Sequence, residues 1–176
     1  SYTIKELASY SFLLEHFYIV DETTSMTKQD LNGTKLVTMD LSAKLGKEEP
    51  LVLIYHTHGS ETYKKVNGKE GSVIEVGTAL TKELENVYGI KTVHDKSVYD
   101  MVDGQLDRNA AYNFAGDSVE AALRKNPSVK VVIDLHRDSV ENNIHLRTKV
   151  NGKSAAQIMF FNGVSRLASK GDIGYL

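Results

Sequence analysis

Two short apolar runs without polar alternation, Leu51–Thr57 and Val129–Leu135, are the strongest hydrophobic signals in the chain. Such runs are typical of parallel strands that are buried on both faces. Between them, apolar residues recur at helical spacing over Val73–Tyr88 and Asn109–Lys125, and Lys91–Val93 predicts a further strand. Strand, helix, strand, helix, strand is the order of an α/β protein. The pattern therefore predicts a mostly parallel central sheet flanked by helices.

The ends of the helix after the first strand carry their own signals. Ser72 is a good N-cap, and Gly89 is a good C-cap for the same helix. Sheets of this class place their functional sites at the carboxyl ends of the strands. We therefore look for chemistry just after Thr57 and just after Leu135.

The segment before the first strong strand predicts a helix, a polar loop and a short strand. Helical spacing runs from Thr3 to Val20, and we expect this N-terminal helix to pack on the main domain. A polar loop is predicted over Asp21–Gly33, followed by a short edge strand at Leu36–Met39. We therefore predict that residues 1–50 form an N-terminal helix and extended arm, and that residues 51–176 form the principal domain.

The C-terminal part predicts a hairpin. Asn151-Gly152 is a two-residue hairpin turn sequence, and Ala155–Asn162 reads as the strand that follows it. Because the chain opens at Ser1 rather than Met and runs straight into a helical pattern, we expect it to be a fragment of a longer protein.

Composition narrows the possible chemistry. The chain has 176 residues, a formal net charge of -2 and no cysteine. The absence of cysteine excludes disulfides, thiolate zinc sites and thiol nucleophiles, which leaves His, Asp and Glu as metal ligands. The charge gives no support for nucleic-acid binding, although Arg147, Lys149 and Lys153 lie close together in the sequence. No apolar stretch reaches the roughly 20 residues of a membrane-spanning helix.

The candidate chemistry is an HxxE pair with a distant histidine. His58 and Glu61 follow the first strong strand, and His136 follows the last one. Two imidazole nitrogens and one carboxylate oxygen form the three-ligand shell of a catalytic zinc, which keeps a fourth position open. The sequence therefore predicts a Zn²⁺ site at His58, Glu61 and His136.

Several neighbours compete with these residues or support them. His56 lies two residues before His58 and shares its side if the strand continues, and Glu70 and Glu75 compete with Glu61 as the carboxylate ligand. Arg137 is the candidate for polarising a substrate carbonyl or gripping a carboxylate, with a structural salt bridge as its alternative role. Asp134 is placed to orient a ligand histidine without binding the metal itself.

The motifs around these residues resemble the stage II sporulation protein P family. The similarity covers nearly the whole chain and rests on the runs YHTHGSETY, VYGIKTVHDKSVYD and VVIDLHRDS, with FYIVDETT and VNGKSAAQIMFF at the flanks. The family's HTHxxE motif and its second central histidine fall on His58, Glu61 and His136. The resemblance implies an amidase-like fold related to zinc-dependent N-acetylmuramoyl-L-alanine amidases.

The resemblance also implies a function. The substrate would be peptidoglycan, cleaved at the amide between N-acetylmuramic acid and L-alanine and also at peptide cross-links, during engulfment of the forespore. Stage II sporulation proteins D and M would be partners, and an N-terminal membrane anchor absent here would hold the domain outside the cytoplasm. Because related amidases carry a late catalytic Glu, the resemblance implies that the general base lies beyond Leu176 and that residues 51–176 lack the C-terminal part of the amidase domain.

Two rival functions use the same residues. A non-catalytic wall-binding module would use the histidines for hydrogen bonds alone and would need no zinc. A metallopeptidase acting on soluble peptides would use the same ligands on another substrate. Metal analysis separates the first rival from the amidase, and product analysis separates the second.

Overall fold

The computed structural model describes residues 1–20, 22, 24–43, 48–64, 68–141, 144–161, 166–167 and 171–172. The chain divides into two compact units, one of Ser1–Ser42 with Leu146–Leu176 and one of Ala43–His145. The division predicted at residue 50 stays a prediction, as does the packing of the N-terminal helix on the main domain.

The described residues contain five helices and nine strands. In chain order they are α1 (Ile4–Leu7), α2 (Tyr10–Phe17), α3 (Gly33–Thr38), β1 (Val52–Tyr55), α4 (Val73–Asn86), β2 (Thr92–His94), β3 (Met101–Val102), β4 (Gln105–Leu106), α5 (Arg108–Lys125), β5 (Val131–Asp134), β6 (Arg147–Val150), β7 (Lys153–Ala156), β8 (Arg166–Leu167) and β9 (Gly171–Asp172).

A three-stranded parallel sheet in the order β2-β1-β5 forms the centre of the Ala43–His145 unit. Leu53 of β1 pairs with Val93 on one side and with Val132 on the other. The α/β class with a parallel sheet and helices is therefore confirmed, while the amidase-like fold stays a prediction. Because β1 is central, the residues that follow it leave the sheet between the ends of its two neighbours.

Burial is concentrated on β1 and on the helices beside it. Leu53 and Ile54 are almost fully inaccessible, as are Val73 of α4 and Ala111 and Ala115 of α5. Apolar burial of this kind is the main favourable term in folding, at roughly 25 cal/mol per Å². The best-buried strand of the sheet is thus the one that leads into the loop that carries His58 and Glu61.

The start of α4 has the predicted cap. The Ser72 hydroxyl accepts a hydrogen bond from the Glu75 amide, and the Glu75 carboxylate accepts one from the Ser72 amide. This reciprocal pair is a capping box, which satisfies amide groups that the first helical turn leaves free. Gly89 follows the helix at φ +66°, a conformation that glycine adopts without strain.

Two predictions for the N-terminal segment are wrong. Leu36–Met39 is not a strand, since α3 covers Gly33–Thr38 and begins at Asn32, whose side chain accepts from the Lys35 amide at 2.9 Å. The single helix predicted over Thr3–Val20 is two helices. The Ser9 hydroxyl accepts from the Phe12 amide and begins α2 there. In both cases a side-chain cap overrides the apolar spacing.

The hairpin predicted at Asn151-Gly152 is confirmed. Both residues have positive φ, 51° and 77°, and they join the antiparallel strands β6 and β7. The strand predicted at Ala155–Asn162 is wrong in its extent, because β7 ends at Ala156 and residues 157–161 form no strand. Asn162 lies outside the described residues.

Candidate metal centre

A tight turn after β1 brings the HxxE pair together. The Glu61 amide donates to the His58 carbonyl at 3.1 Å, so the two side chains emerge on the same side of the turn. His58 Nδ1 lies 3.7 Å from Glu61 Oε1. Glu61 is only 6% exposed, and a buried carboxylate needs partners that offset its lost hydration.

His136 reaches the same point from β5. Tyr55 at the end of β1 pairs with Asp134 at the end of β5, so the two strands stop side by side. His136 Nδ1 lies 3.9 Å from Glu61 Oε2, and the rings of His58 and His136 are 4.9 Å apart between centroids. One potential ligand atom from each of His58, Glu61 and His136 lies within 4.8 Å of the others.

Asp134 fixes the orientation of the His136 ring. Its Oδ2 lies 2.9 Å from His136 Nε2, and it also accepts hydrogen bonds from the amide and the hydroxyl of Thr57, at 2.9 and 2.6 Å. Burial alone would raise the pKa of Asp134, but the bonds from His136 and Thr57 outweigh it and lower that pKa. The ionised carboxylate holds His136 Nε2–H and leaves Nδ1 facing Glu61.

The backbone of Arg137 orients Glu61. The Arg137 amide donates to Glu61 Oε2 at 2.8 Å. The side chain forms no salt bridge to Asp134 or Asp138, the two partners of its alternative role, in the described part of the chain, and its Nη1 donates to the carbonyl oxygen of Asp138 at 3.2 Å. The Arg137 Nε is buried without a hydrogen-bond partner among the described residues.

The two competing carboxylates lie elsewhere. Glu75 is exposed and engaged in the capping box of α4. Glu70 is exposed and accepts from the Thr62 hydroxyl at 3.0 Å. Of the three glutamates considered as ligands, the structure brings Glu61 to the two histidines.

His56 does not join His58, because β1 ends at Tyr55 and the chain turns before His58. The His56 ring is fully buried, with Nδ1 2.9 Å from the Leu135 carbonyl oxygen and Nε2 2.9 Å from His94 Nε2. Because a carbonyl can only accept, Nδ1–H donates to it, and His94 Nε2–H then donates to His56. Burial, together with the neighbouring His56, lowers the pKa of His94, which favours the neutral form of its ring.

Comparison with known proteins shows to which family the chain belongs. The family model for stage II sporulation protein P (SpoIIP) matches residues 5–170. The chain belongs to the SpoIIP family. It is also 27% identical, over 127 residues, to the stage II sporulation protein P of Bacillus subtilis (strain 168). That match covers 66% of this chain and 31% of the relative, so the chain spans about a third of the relative's length.

No solved structure gives a significant match to this SpoIIP-family chain. None of its described helices combines the length and the apolar character needed to cross a membrane. The family assignment therefore comes from sequence similarity alone.

The structure also brings residues to the site that the sequence analysis did not assign to it. The Tyr112 ring on α5 lies edge-on to the His58 ring, 5.3 Å between centroids. Asp100 is fully buried and accepts from the amide and the hydroxyl of Ser60, at 3.1 and 2.5 Å. Tyr112 lies on a helix and Asp100 in a loop, and no spacing in the sequence connects either to the HxxE pair.

Proposed function

We propose that His58, Glu61 and His136 hold a Zn²⁺ ion and that this chain is the hydrolytic part of a peptidoglycan hydrolase. The observation that carries the proposal is the convergence of two imidazoles and one carboxylate to within 4.8 Å at the ends of two adjacent parallel strands. This donor set is the one that catalytic zinc sites use while they keep an open position for substrate or water.

The electrostatics of the site suit a divalent cation. Glu61 and Asp100 are both buried acidic residues, and the hydrogen bonds that lower the pKa of Asp134 keep a carboxylate close by. His58 and His136, which can carry positive charge beside Glu61, are themselves candidate ligands, and the hydrogen bond to Asp134 raises the pKa of His136. The His58 Nε2 is buried without a hydrogen-bond partner among the described residues. Buried carboxylates and an unpartnered imidazole nitrogen favour a cation between them.

The residues of the chain have distinct roles in this proposal. His58, Glu61 and His136 bind the ion, while Asp134 and the Arg137 amide keep His136 and Glu61 in a fixed orientation. A bound zinc supplies Lewis acidity and lowers the pKa of water toward about 7. The Arg137 guanidinium is proposed to bind the carbonyl oxygen of the scissile amide, because its donors are not used in a salt bridge within the described residues.

The substrate and the setting follow from the family. We propose that the bond cleaved is the amide between N-acetylmuramic acid and L-alanine, with peptide cross-links as a second target. The reaction would serve forespore engulfment outside the cytoplasm, together with stage II sporulation proteins D and M. Family membership over residues 5–170 supports this setting.

Zinc dependence and product analysis test the function directly. Purified protein that includes the segment expected beyond Leu176 is incubated with peptidoglycan sacculi with added Zn²⁺, and in parallel after dialysis against a strong chelator. We expect soluble stem peptides with a free L-alanine amino terminus only in the zinc sample, because the metal centre supplies the reactive group. Activity that survives complete metal removal contradicts the proposal. Cleavage of free peptides without release from sacculi would favour the soluble-peptide metallopeptidase.

A prediction about zinc affinity arises from the Asp134–His136 contact. Asp134→Asn is expected to weaken zinc binding about 10- to 100-fold, as losing an outer-sphere partner of a ligand histidine typically does. The amide of Asn cannot accept from both Thr57 donors and His136 as the carboxylate does. Competition with a chromogenic chelator measures the affinity.

The matched control is Asp138→Asn, which removes a carboxylate that, among the described residues, accepts from the Ser139 amide alone. It is expected to leave zinc affinity unchanged. Equal zinc affinities for Asp134→Asn and the parent protein, with both folded by circular dichroism, would show that Asp134 does not position His136.

A further inference from the structure

Tyr112 lies beside the candidate metal centre, on helix α5. Helix α5 buries Ala111 and Ala115, and Tyr112 lies at the edge of that buried face. Its ring meets the His58 ring edge-on, at an interplanar angle of 77°, yet the residue is 59% exposed. Tyr112 therefore contacts a candidate ligand on one side and remains accessible from solvent on the other.

The hydroxyl of Tyr112 makes no hydrogen bond among the described residues, unlike the hydroxyls of Thr57 and Ser60. Thr57 donates its hydroxyl to Asp134, and Ser60 donates its hydroxyl to Asp100. A phenolic hydroxyl can both donate and accept a hydrogen bond, so the Tyr112 hydroxyl can donate to a bound molecule.

We propose that Tyr112 is a substrate-contacting residue, whose hydroxyl donates a hydrogen bond to an oxygen on the acyl side of the scissile amide. The inference rests on the proposed hydrolytic function and adds a residue to it. A substrate rich in carbonyl, hydroxyl and ether oxygens needs hydrogen-bond donors, and the side chains of Glu61 and Asp134 offer acceptor oxygens. Tyr112 supplies a neutral donor on the His58 side of the centre.

Tyr63, two residues after Glu61, is the comparison, because its hydroxyl also makes no hydrogen bond among the described residues. Its ring, however, has no contact with the rings of His58 or His136 in the described part of the chain. Geometry therefore favours Tyr112 over Tyr63 as the donor to substrate.

The test compares Tyr112→Phe with Tyr63→Phe and with Tyr88→Phe, the last being a tyrosine of similar exposure beyond the end of α4. Two readouts are taken on each protein. Steady-state hydrolysis of a soluble muropeptide gives kcat and KM. Calorimetric titration of metal-free protein with N-acetylmuramoyl-L-alanyl-D-isoglutamine gives a dissociation constant under conditions where no hydrolysis occurs. Zinc content is measured in parallel.

Tyr112→Phe is expected to raise KM and the dissociation constant about two- to tenfold, the range for one lost neutral hydrogen bond. Because the bond is made in the ground state as well as during reaction, kcat should stay unchanged, as should zinc content. Tyr63→Phe and Tyr88→Phe are expected to match the parent protein. A purely structural role would lower thermal stability or zinc content without this selective change in KM.

Unchanged KM and probe affinity in Tyr112→Phe, in a parent protein that binds zinc and hydrolyses muropeptide, overturn the assignment of Tyr112 alone. A rise in KM and in the dissociation constant that is confined to Tyr63→Phe also overturns this assignment. A parent protein that takes up no zinc and cleaves nothing refutes the proposed function, while the metal-free titration still reports on Tyr112. A parent protein that does not bind N-acetylmuramoyl-L-alanyl-D-isoglutamine counts against both the proposed function and the assignment of Tyr112.

Discussion

His58→Ala and His136→Ala are each expected to abolish stoichiometric zinc binding and hydrolysis of sacculi. Each substitution removes one of three protein ligands, and the remaining imidazole and Glu61 cannot complete the shell. The loss of activity should exceed the about 10- to 100-fold typical of an outer-sphere change such as Asp134→Asn. Zinc is measured by elemental analysis of the purified proteins, and activity by release of soluble wall fragments.

The matched control for these variants is His145→Ala. His145 is exposed and makes no hydrogen bond or ion pair within the described residues, so its removal should change neither zinc content nor activity. A His58→Ala or His136→Ala protein that is folded, retains stoichiometric zinc and digests sacculi at the parent rate would refute the assignment of the centre.

Gly77→Ala is expected to destabilise the fold, although alanine normally stabilises a helix interior. A Cβ atom at position 77 would lie 2.6 Å from His94 Nε2 and 2.7 Å from His56 Nε2. The gain in helix propensity is about 1 kcal/mol, whereas overpacking a rigid core costs about 1–3 kcal/mol and displacing the His56–His94 hydrogen bond about 0.5–1.5 kcal/mol more. We expect a net loss of about 1–3 kcal/mol in the free energy of unfolding.

Gly116→Ala is the control for this prediction, since it makes the same change within the other long helix of the unit. A Cβ at position 116 meets nothing within 4 Å, so helix propensity alone should stabilise the protein by up to about 1 kcal/mol. Urea unfolding followed by circular dichroism measures both variants. If both variants change the free energy of unfolding in the same direction, close packing against the His56–His94 pair is not the reason for a glycine at position 77.

The strongest local signals in the sequence were enough to predict the sheet. The apolar runs around Leu53 and Val132 have no polar alternation, and the structure pairs them as neighbouring parallel strands. Ser72 was predictable as a cap because its hydroxyl and Glu75 satisfy the helix start locally. The helices of the N-terminal segment were harder to predict, because they begin at the N-caps Ser9 and Asn32, which apolar spacing does not reveal.

For the site, residue types were predictable and their roles were less so. His58, Glu61 and His136 follow strands, and the register of β1 against β5 determines that these strand ends meet. The choice among Glu61, Glu70 and Glu75 depended on side-chain partners: Glu75 caps a helix, Glu70 accepts from Thr62, and Glu61 is held by the Arg137 amide.

The sequence by itself determined the local elements, the α/β order, the hairpin at Asn151-Gly152 and the set of side chains able to bind a metal. These depend on interactions between residues close along the chain. Only the tertiary structure decided that His56 pairs with His94 while His58 turns toward His136, and that Tyr112 borders the centre. The reason is physical: contacts between residues tens of positions apart depend on strand register and helix packing, which leave no periodic trace in the sequence.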